Sequence, residues 1–226
     1  MREGGALQLT LSSGEESQGY SNVIKIMLLI TVLAVAPGFL VMMTSFTRIV
    51  IVLGFVRKAL GTQTLPPNQI VLGLSLFLSL FVMAPTFERI HSEALEPYLD
   101  GELTEEQAFD RAGTGIKEFM GRHTRKRDLA LFIHIAGGQR PRSLADVPLT
   151  TLVPAFITSE LKTAFQMGFV LFVPFLLIDL IVAGVLMALG MMMLPPIIIS
   201  LPFKILLFVI VDGWALLVQS LAASYA

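Results

Sequence analysis

"LGMMMLPPIII", Leu189 to Ile199, lies between two apolar runs. Three methionines and then two prolines interrupt what would otherwise read as one long apolar helix. Pro195 and Pro196 bring no backbone N–H, and Pro202 adds a third break. Residues before proline avoid the helical region. The isoleucine-rich link between these breaks is therefore expected to be extended, with Met191, Met192 and Met193 on a loop at a helix end. Methionine is flexible and polarizable and repacks around irregular shapes. A ring of such loops would close a pore yet yield to varied passengers. The plainer reading of the spacing is methionines that face lipid or a core.

The flanking runs set the class. The chain has 226 residues, 54% of them hydrophobic and only 15% charged, with a net charge of -1. Soluble domains are about 25% charged, so a membrane-type protein is expected. The net charge argues neither for nor against a polyanionic partner. The absence of cysteine excludes disulfides and thiolate metal sites.

Charge is spread very unevenly. Ile26 to Thr47 gives 22 residues without a charged side chain, enough to cross about 30 Å of hydrocarbon at about 1.5 Å per residue. This is the first expected hydrophobic helix, kinked at Pro37-Gly38. "RKALGTQTLPPNQ" (Arg57 to Gln69) reads as a short loop, and a second apolar stretch, Ile70 to Phe87, ends at Ala84-Pro85. Glu88 to Lys162 then holds twelve Asp/Glu, ten Lys/Arg and all three histidines, a water-facing insert. Within it, "LTEEQAFDRAGTGIKEFMGRH" reads as an amphipathic helix. Thr104 and Gln107 fit a capping box, and Ala108, Ala112, Ile116 and Phe119 recur at helical spacing. "IAGGQRP" (Ile135 to Pro141) reads as a turn. From Thr163 onward only Asp179, Lys204 and Asp212 are charged, with a third apolar helix over about Phe165 to Leu189 and a fourth over about Phe203 to Val218.

The expected fold is thus all-α and membrane-type. A polar segment (1–22) precedes a first hydrophobic helical hairpin (23–87), an α-helical hydrophilic insert (88–162) and a second hydrophobic hairpin (163–226). The polar segment lacks a basic region followed by an apolar run, so it does not read as a signal peptide. The cations of the Arg57-Lys58 loop place it on the cytoplasmic side. The insert and both termini then lie outside, which removal of a leader from a precursor would explain.

An ionisable side chain in hydrocarbon costs about 2.5 to 3.5 kcal/mol on insertion scales. Asp179, in "PFLLIDLIV", must therefore face protein or water, and Lys204 is its nearest cation. With straight helices leaving a turn at Pro195-Pro196, Asp179 lies roughly 24 Å down and Lys204 roughly 12 Å, so the two miss. Either the chain between Gly190 and Pro202 is irregular, or Asp179 meets Lys204 of a staggered neighbouring copy. A snorkelling Lys204 with a protonated Asp179 is the bland alternative.

"PAFITSELKTAFQMGF" (Pro154 to Phe169), "PFLLIDLIV" (Pro174 to Val182), "LGMMMLPP" (Leu189 to Pro196) and "MTSFTRIVIVLGFVRKALGTQTLPPNQ" (Met43 to Gln69) together resemble the FliP family of flagellar biosynthesis proteins. The counterpart of that family in virulence-type injection systems is the R component of the type III secretion export gate. The resemblance runs from about Val23 to the carboxyl end. It implies a core subunit of the gate through which unfolded flagellar proteins cross the bacterial inner membrane, within the flagellar basal body. It further implies five copies assembled with Q and R export-gate subunits into a cone, with further export-apparatus membrane proteins docked beneath. Carried over by motif, Met191, Met192 and Met193 would form the pore gasket, and Asp179 with Lys204 a buried charge pair for assembly. Glu160, in "TSELK", falls on a family motif without a specific role.

Other classes fit less well. The three histidines show no HExxH spacing and there is no GxSxG elbow, so neither enzyme chemistry nor a cofactor or metal is expected. A small-molecule transporter would want matching inverted halves, which the hairpins lack. "RHTRKRD" (Arg122 to Asp128) raises anionic lipid or nucleic acid. The acidic residues nearby favour a solvated face or subunit contact, and nucleic acid is not expected.

Overall fold

The computed structural model describes residues 13–62, 65–137, 141, 143–191 and 193–225. The first half of the polar amino-terminal segment, residues 138–140 of the expected turn, and Met192 lie outside the described residues. All regular structure among the described residues is helical. The chain divides into two compact units, one ending at Leu40 and the other beginning at Val41.

The first unit holds most of α1, Ser13–Met42, which takes Pro37 within it. The single helix expected over Ile26 to Thr47 instead stops at Met42, and α2 (Phe46–Ala59) starts anew. Local hydroxyl bonding accounts for the break. The Thr44 hydroxyl donates back to the Val41 carbonyl at 2.8 Å, and the Ser45 hydroxyl meets that of Ser79 at 3.1 Å. Such bonds offer the backbone an alternative to helix.

The second unit is built on α2. Arg48, Ile49, Val52, Leu53, Val56 and Ala59 are its buried residues, a spacing that turns one face inward. α3 (Asn68–Ile90) faces it with Val71, Ser75, Ser79 and Met83, four apart. The expected stop at Pro85 does not occur. α3 runs through it and continues by a π-helical turn, His91–Leu95, into α4 (Glu96–Leu99). Proline costs a helix one hydrogen bond and a clash with the preceding turn, but Met83, two residues earlier, is fully buried and anchors the segment. α5 (Glu105–His123) begins where the sequence predicts. The Gln107 amide donates to Thr104 Oγ1 at 3.3 Å, and the Thr104 amide donates to Gln107 Oε1 at 3.1 Å. α6 (Lys126–Ile135) follows.

α7 spans 40 residues, Leu149–Ala188, far longer than the expected Phe165 to Leu189. Its first 14 residues, 149–162, lie inside what charge alone marks as insert, because packing with α2, α5 and α6 buries Leu152, Ala155, Phe156, Ser159 and Glu160 there. Packing, rather than local hydropathy, sets that boundary. α2 packs most extensively on α7. Where the two helices meet, a Cβ on Gly168 would lie 2.5 Å from the Phe55 ring, so glycine admits the phenyl group.

The methionine–proline stretch joins α7 to α8 (Pro196–Ile210). Gly190, at φ +75°, closes α7. Its amide donates to the Met187 carbonyl at 3.0 Å, and that of Met191 to the Leu186 carbonyl at 2.9 Å, the paired bonds of a Schellman motif. Pro196 then stands first in α8, where its fixed φ suits a helix and its missing N–H would be unpaired anyway. The expected extended link is therefore helical, and Pro202 lies inside α8. Prolines 195 and 196 start a helix here; glycine ends the previous one. The fourth apolar helix is also two: α8 and α9 (Gly213–Ala223) meet at 63°, around Asp212 in the left-handed region at φ 51°.

Among the described residues, two helical stretches, Asn68–Leu99 and Leu149–Ala188, are long and apolar enough to cross a membrane, or three if the bent α8–α9 pair counts as one.

Candidate functional site

Asp179, near the carboxyl end of α7, and Lys204, in the middle of α8, meet within one chain. Lys204 Nζ donates to Asp179 Oδ2 at 2.6 Å, and Ser200 Oγ donates to Oδ1 at 2.6 Å. Ser200 and Lys204 are one helical step of four apart, so α8 presents both on one face. The depth mismatch disappears because Gly190 to Pro195 form the turn rather than extending α7. Asp179 then lies nine residues below the end of α7 and Lys204 eight above the start of α8, each roughly 12 to 14 Å from the turn. Lys204 is also covered by the end of α2, since a Cβ on Gly61 would stand 3.6 Å from its Nζ. A helix carboxyl end favours a cation.

A second buried charge site joins α2, α7 and the chain's carboxyl end. Arg48 and Glu160 are 3% and 0% exposed. Arg48 Nε donates to Glu160 Oε2 at 2.9 Å, while Nη2 donates to Oε1, the bidentate match of guanidinium to carboxylate. Its Nη1 donates to the Ser224 carbonyl at 3.0 Å and to Ser224 Oγ at 2.9 Å. The guanidinium lies 3.9 Å from the Tyr225 ring centre, and the Tyr225 hydroxyl donates to Glu160 Oε2. Burial, and then the Glu160 charge, push the Tyr225 hydroxyl upward, so it stays a neutral donor. His123 packs edge-on to Tyr225 at 4.9 Å. Burial, with the positive charges of Arg48 and Arg122, brings the His123 imidazole down to about 4. Among the described residues no buried side-chain nitrogen or oxygen lacks a partner.

A third polar knot ties α6 to α7. Ser159 Oγ donates to Asp128 Oδ2 at 2.7 Å and accepts from the Arg125 amide at 3.1 Å. Arg125 also reaches Gln166 on α7. Part of the basic run from Arg122 to Asp128 is thus spent on intramolecular contacts.

The turn between α7 and α8 is different in character. Met193 is 99% exposed and Met191 is partly so. They sit at the tip of a hairpin in which Asp179 and Lys204 are paired below them.

With this geometry in hand, comparison with known proteins is decisive. The FliP family model matches residues 29–221. The chain belongs to the FliP family. It is 58% identical over 217 residues to flagellar biosynthetic protein FliP of Bacillus subtilis (strain 168), covering 96% of this chain and 98% of that one. It is 51% identical to the protein of that name from Cereibacter sphaeroides, covering 96% and 72%. The FliP of Aquifex aeolicus is 48% identical, covering 89% and 85%.

In this FliP-family chain, the structure brings together Asp179 and Lys204 and places Pro195 and Pro196 at the start of α8. Glu160, for which the sequence offered no role, is the buried anchor of the second site. Its partners Arg48 and Tyr225 escaped sequence reasoning. Arg48 reads as a helix-end cation, and 112 residues separate it from Glu160. The one available signal was that Arg48 sits among apolar residues in "TSFTRIVIVL", where a lone guanidinium needs a partner.

Proposed function

We propose that this chain is a core subunit of the export gate of the bacterial flagellar type III secretion system, lining the channel through which unfolded flagellar proteins cross the inner membrane. The observation that carries this reading is the tip of the α7–α8 turn, where Met193 is 99% exposed above a hairpin whose Asp179 and Lys204 already pair with each other. An uncovered apolar side chain is unfavourable in water by about 0.8 kcal/mol per CH₂. Assembly of several such tips around a lumen covers them, and their flexibility lets them follow a passing chain. The internal pairing supports the same reading. With Asp179 and Lys204 satisfied by each other, the outward faces of α3 and α7 are left apolar, with Phe77, Phe81, Phe169 and Val170 exposed.

In this reading five copies join Q and R export-gate subunits, and further export-apparatus membrane proteins dock on the assembly in the basal body. Two hydrophobic hairpins flank the hydrophilic insert, which faces the periplasm. The subunit is a conduit, with neither catalysis nor a cofactor. Asp179 and Lys204 serve assembly through the hairpin they fix, since each has its partner in its own chain. The flagellar names of the relatives favour the flagellar gate over its virulence-type counterpart.

Co-expression with the Q and R subunits and purification in mild detergent tests the proposal. A single large complex that is closed to ions on reconstitution is expected. A chain that stays solitary beside its candidate partners would overturn it.

A further inference from the structure

The chain has 11 methionines and no cysteine, so its thioethers are the groups that a two-electron oxidant attacks first. Their exposure is very uneven. Met83 and Met120 are fully buried. Met27, Met42 and Met187 are exposed on helices, as parts of apolar faces. Met193 differs from both groups. It is 99% exposed and stands on the turn that the Leu194 amide closes by donating to the Met191 carbonyl at 3.3 Å. Met191, in the same turn, is exposed too.

The turn is also separate in its mechanics from the hairpin that carries it. Gly190 closes α7, Pro196 opens α8, and the Asp179–Lys204 pair fixes the two helices below. A polar group added to Met193 therefore meets water and leaves the packing of the chain untouched. One added to Met83 or Met120 would have to be buried, at a cost in stability.

We propose that Met193, with Met191 beside it, is a reversible oxidation site that unseals the gate. The inference rests on the channel reading and deepens it, by making closure depend on the redox state of the tip. With hydrogen peroxide as oxidant, the sulfur lone pair takes one peroxide oxygen. The S–O bond forms, the O–O bond breaks, and the other oxygen leaves as water. The sulfur loses two electrons and the peroxide gains them. A polar, hydrogen-bond-accepting sulfoxide then stands in place of a flexible apolar group. A narrow apolar constriction excludes ions by staying dry. Sulfoxides around it hold water there, so the closed channel wets and conducts. A methionine sulfoxide reductase restores the thioether, taking electrons from a thiol donor and releasing the oxygen as water.

Graded peroxide treatment, followed by peptide mass spectrometry and ion-flux measurement, tests the proposal. In the full chain in mild detergent, sulfoxide should form at Met193 at least about tenfold faster than at Met83 or Met120, with helicity retained by circular dichroism. In the complex with Q and R subunits, reconstituted in vesicles, the same treatment should raise ion flux several-fold. Sulfoxide reductases with a thiol donor should reverse the rise. Replacing Met191, Met192 and Met193 with leucine removes the thioethers but keeps apolar bulk, and should make the flux insensitive to peroxide. Equal rates at Met193 and Met83, a tip that the closed complex leaves unoxidised, or an undiminished rise in the leucine variant each overturn the proposal. The two readings fail separately. A complex that leaks before any oxidant is added defeats the seal itself and this inference with it, whereas a tight complex that stays tight with its tip oxidised defeats only the redox site.

Discussion

Lys204 is sealed from solvent, its side chain 2% exposed, whereas Asp179, 2.6 Å away, keeps 38% of its side chain in the open. The pair is therefore asymmetric. Removing the carboxylate strands a buried ammonium, while removing the ammonium leaves a carboxylate that water can reach and Ser200 still holds. Breaking a fully buried pair costs about 3 to 5 kcal/mol. Asp179→Ala should approach the lower end of that range, and Lys204→Met should cost about half as much, both read by thermal unfolding in detergent. Equal losses would mean that the ammonium is solvated. Co-purification with the Q and R subunits should fall in the same order.

Arg48 and Glu160 leave no such outlet, because both are enclosed. Glu160→Gln keeps the shape but uncovers a buried guanidinium, and a loss of about 3 kcal/mol or more is expected. Arg48→Lys keeps the charge but loses the bidentate fork and the stacking on Tyr225, and should also fail to restore stability. Tyr225→Phe removes one hydrogen bond to a charged acceptor, for about 1.5 kcal/mol. A Tyr225→Phe loss as large as that of Glu160→Gln would show that the carboxyl end, rather than the ion pair, holds the site.

His123 makes the same region sensitive to acid. Its imidazole is held down to about 4 in the folded chain, against about 6.5 when unfolded. Between those values the unfolded chain binds a proton that the native chain refuses, so stability falls as pH drops from about 6.5 to about 4 and this contribution levels off below. His123→Gln should flatten the decline in melting temperature between pH 7 and pH 5. An unchanged slope would place the sensitivity elsewhere.

Gly168 tests the seam between α2 and α7. A methyl group there would meet the Phe55 ring at 2.5 Å, and overpacking of this kind costs about 1 to 3 kcal/mol. Gly168→Ala should destabilise, and adding Phe55→Leu should recover part of the loss. Additive losses from the two changes would show that the helices do not meet there.

Local chemistry was legible in the sequence and long-range pairing was not. The Thr104–Gln107 capping box and the apolar class follow from neighbouring residues. Pro195 and Pro196 mark a break between helices, but proline both stops one helix and starts the next, so the helical course of the isoleucine link after them is not readable locally; Gly190 is what closes α7. Charge places the end of the insert at Lys162 and the start of the third apolar helix near Phe165, because it marks exposure poorly where Arg48 and Tyr225 enclose Glu160. Arg48 and Glu160 find each other through tertiary packing that no local pattern encodes.

The methionine tip separates stability from function. Met193 touches almost nothing in its own chain, being 99% exposed, so truncating it removes little packing. Replacing Met191, Met192 and Met193 with alanine should shift the unfolding of the isolated chain by less than about 0.5 kcal/mol, as surface changes do. The same replacement should raise ion leak through the assembled, reconstituted gate, because three flexible side chains per copy are lost from its closure. Leucine at the three positions restores bulk but less adaptability, and should seal the resting channel while slowing export. Unchanged conductance in the alanine variant would remove the methionines from the seal, whereas a large loss of stability in the isolated chain would make them core residues.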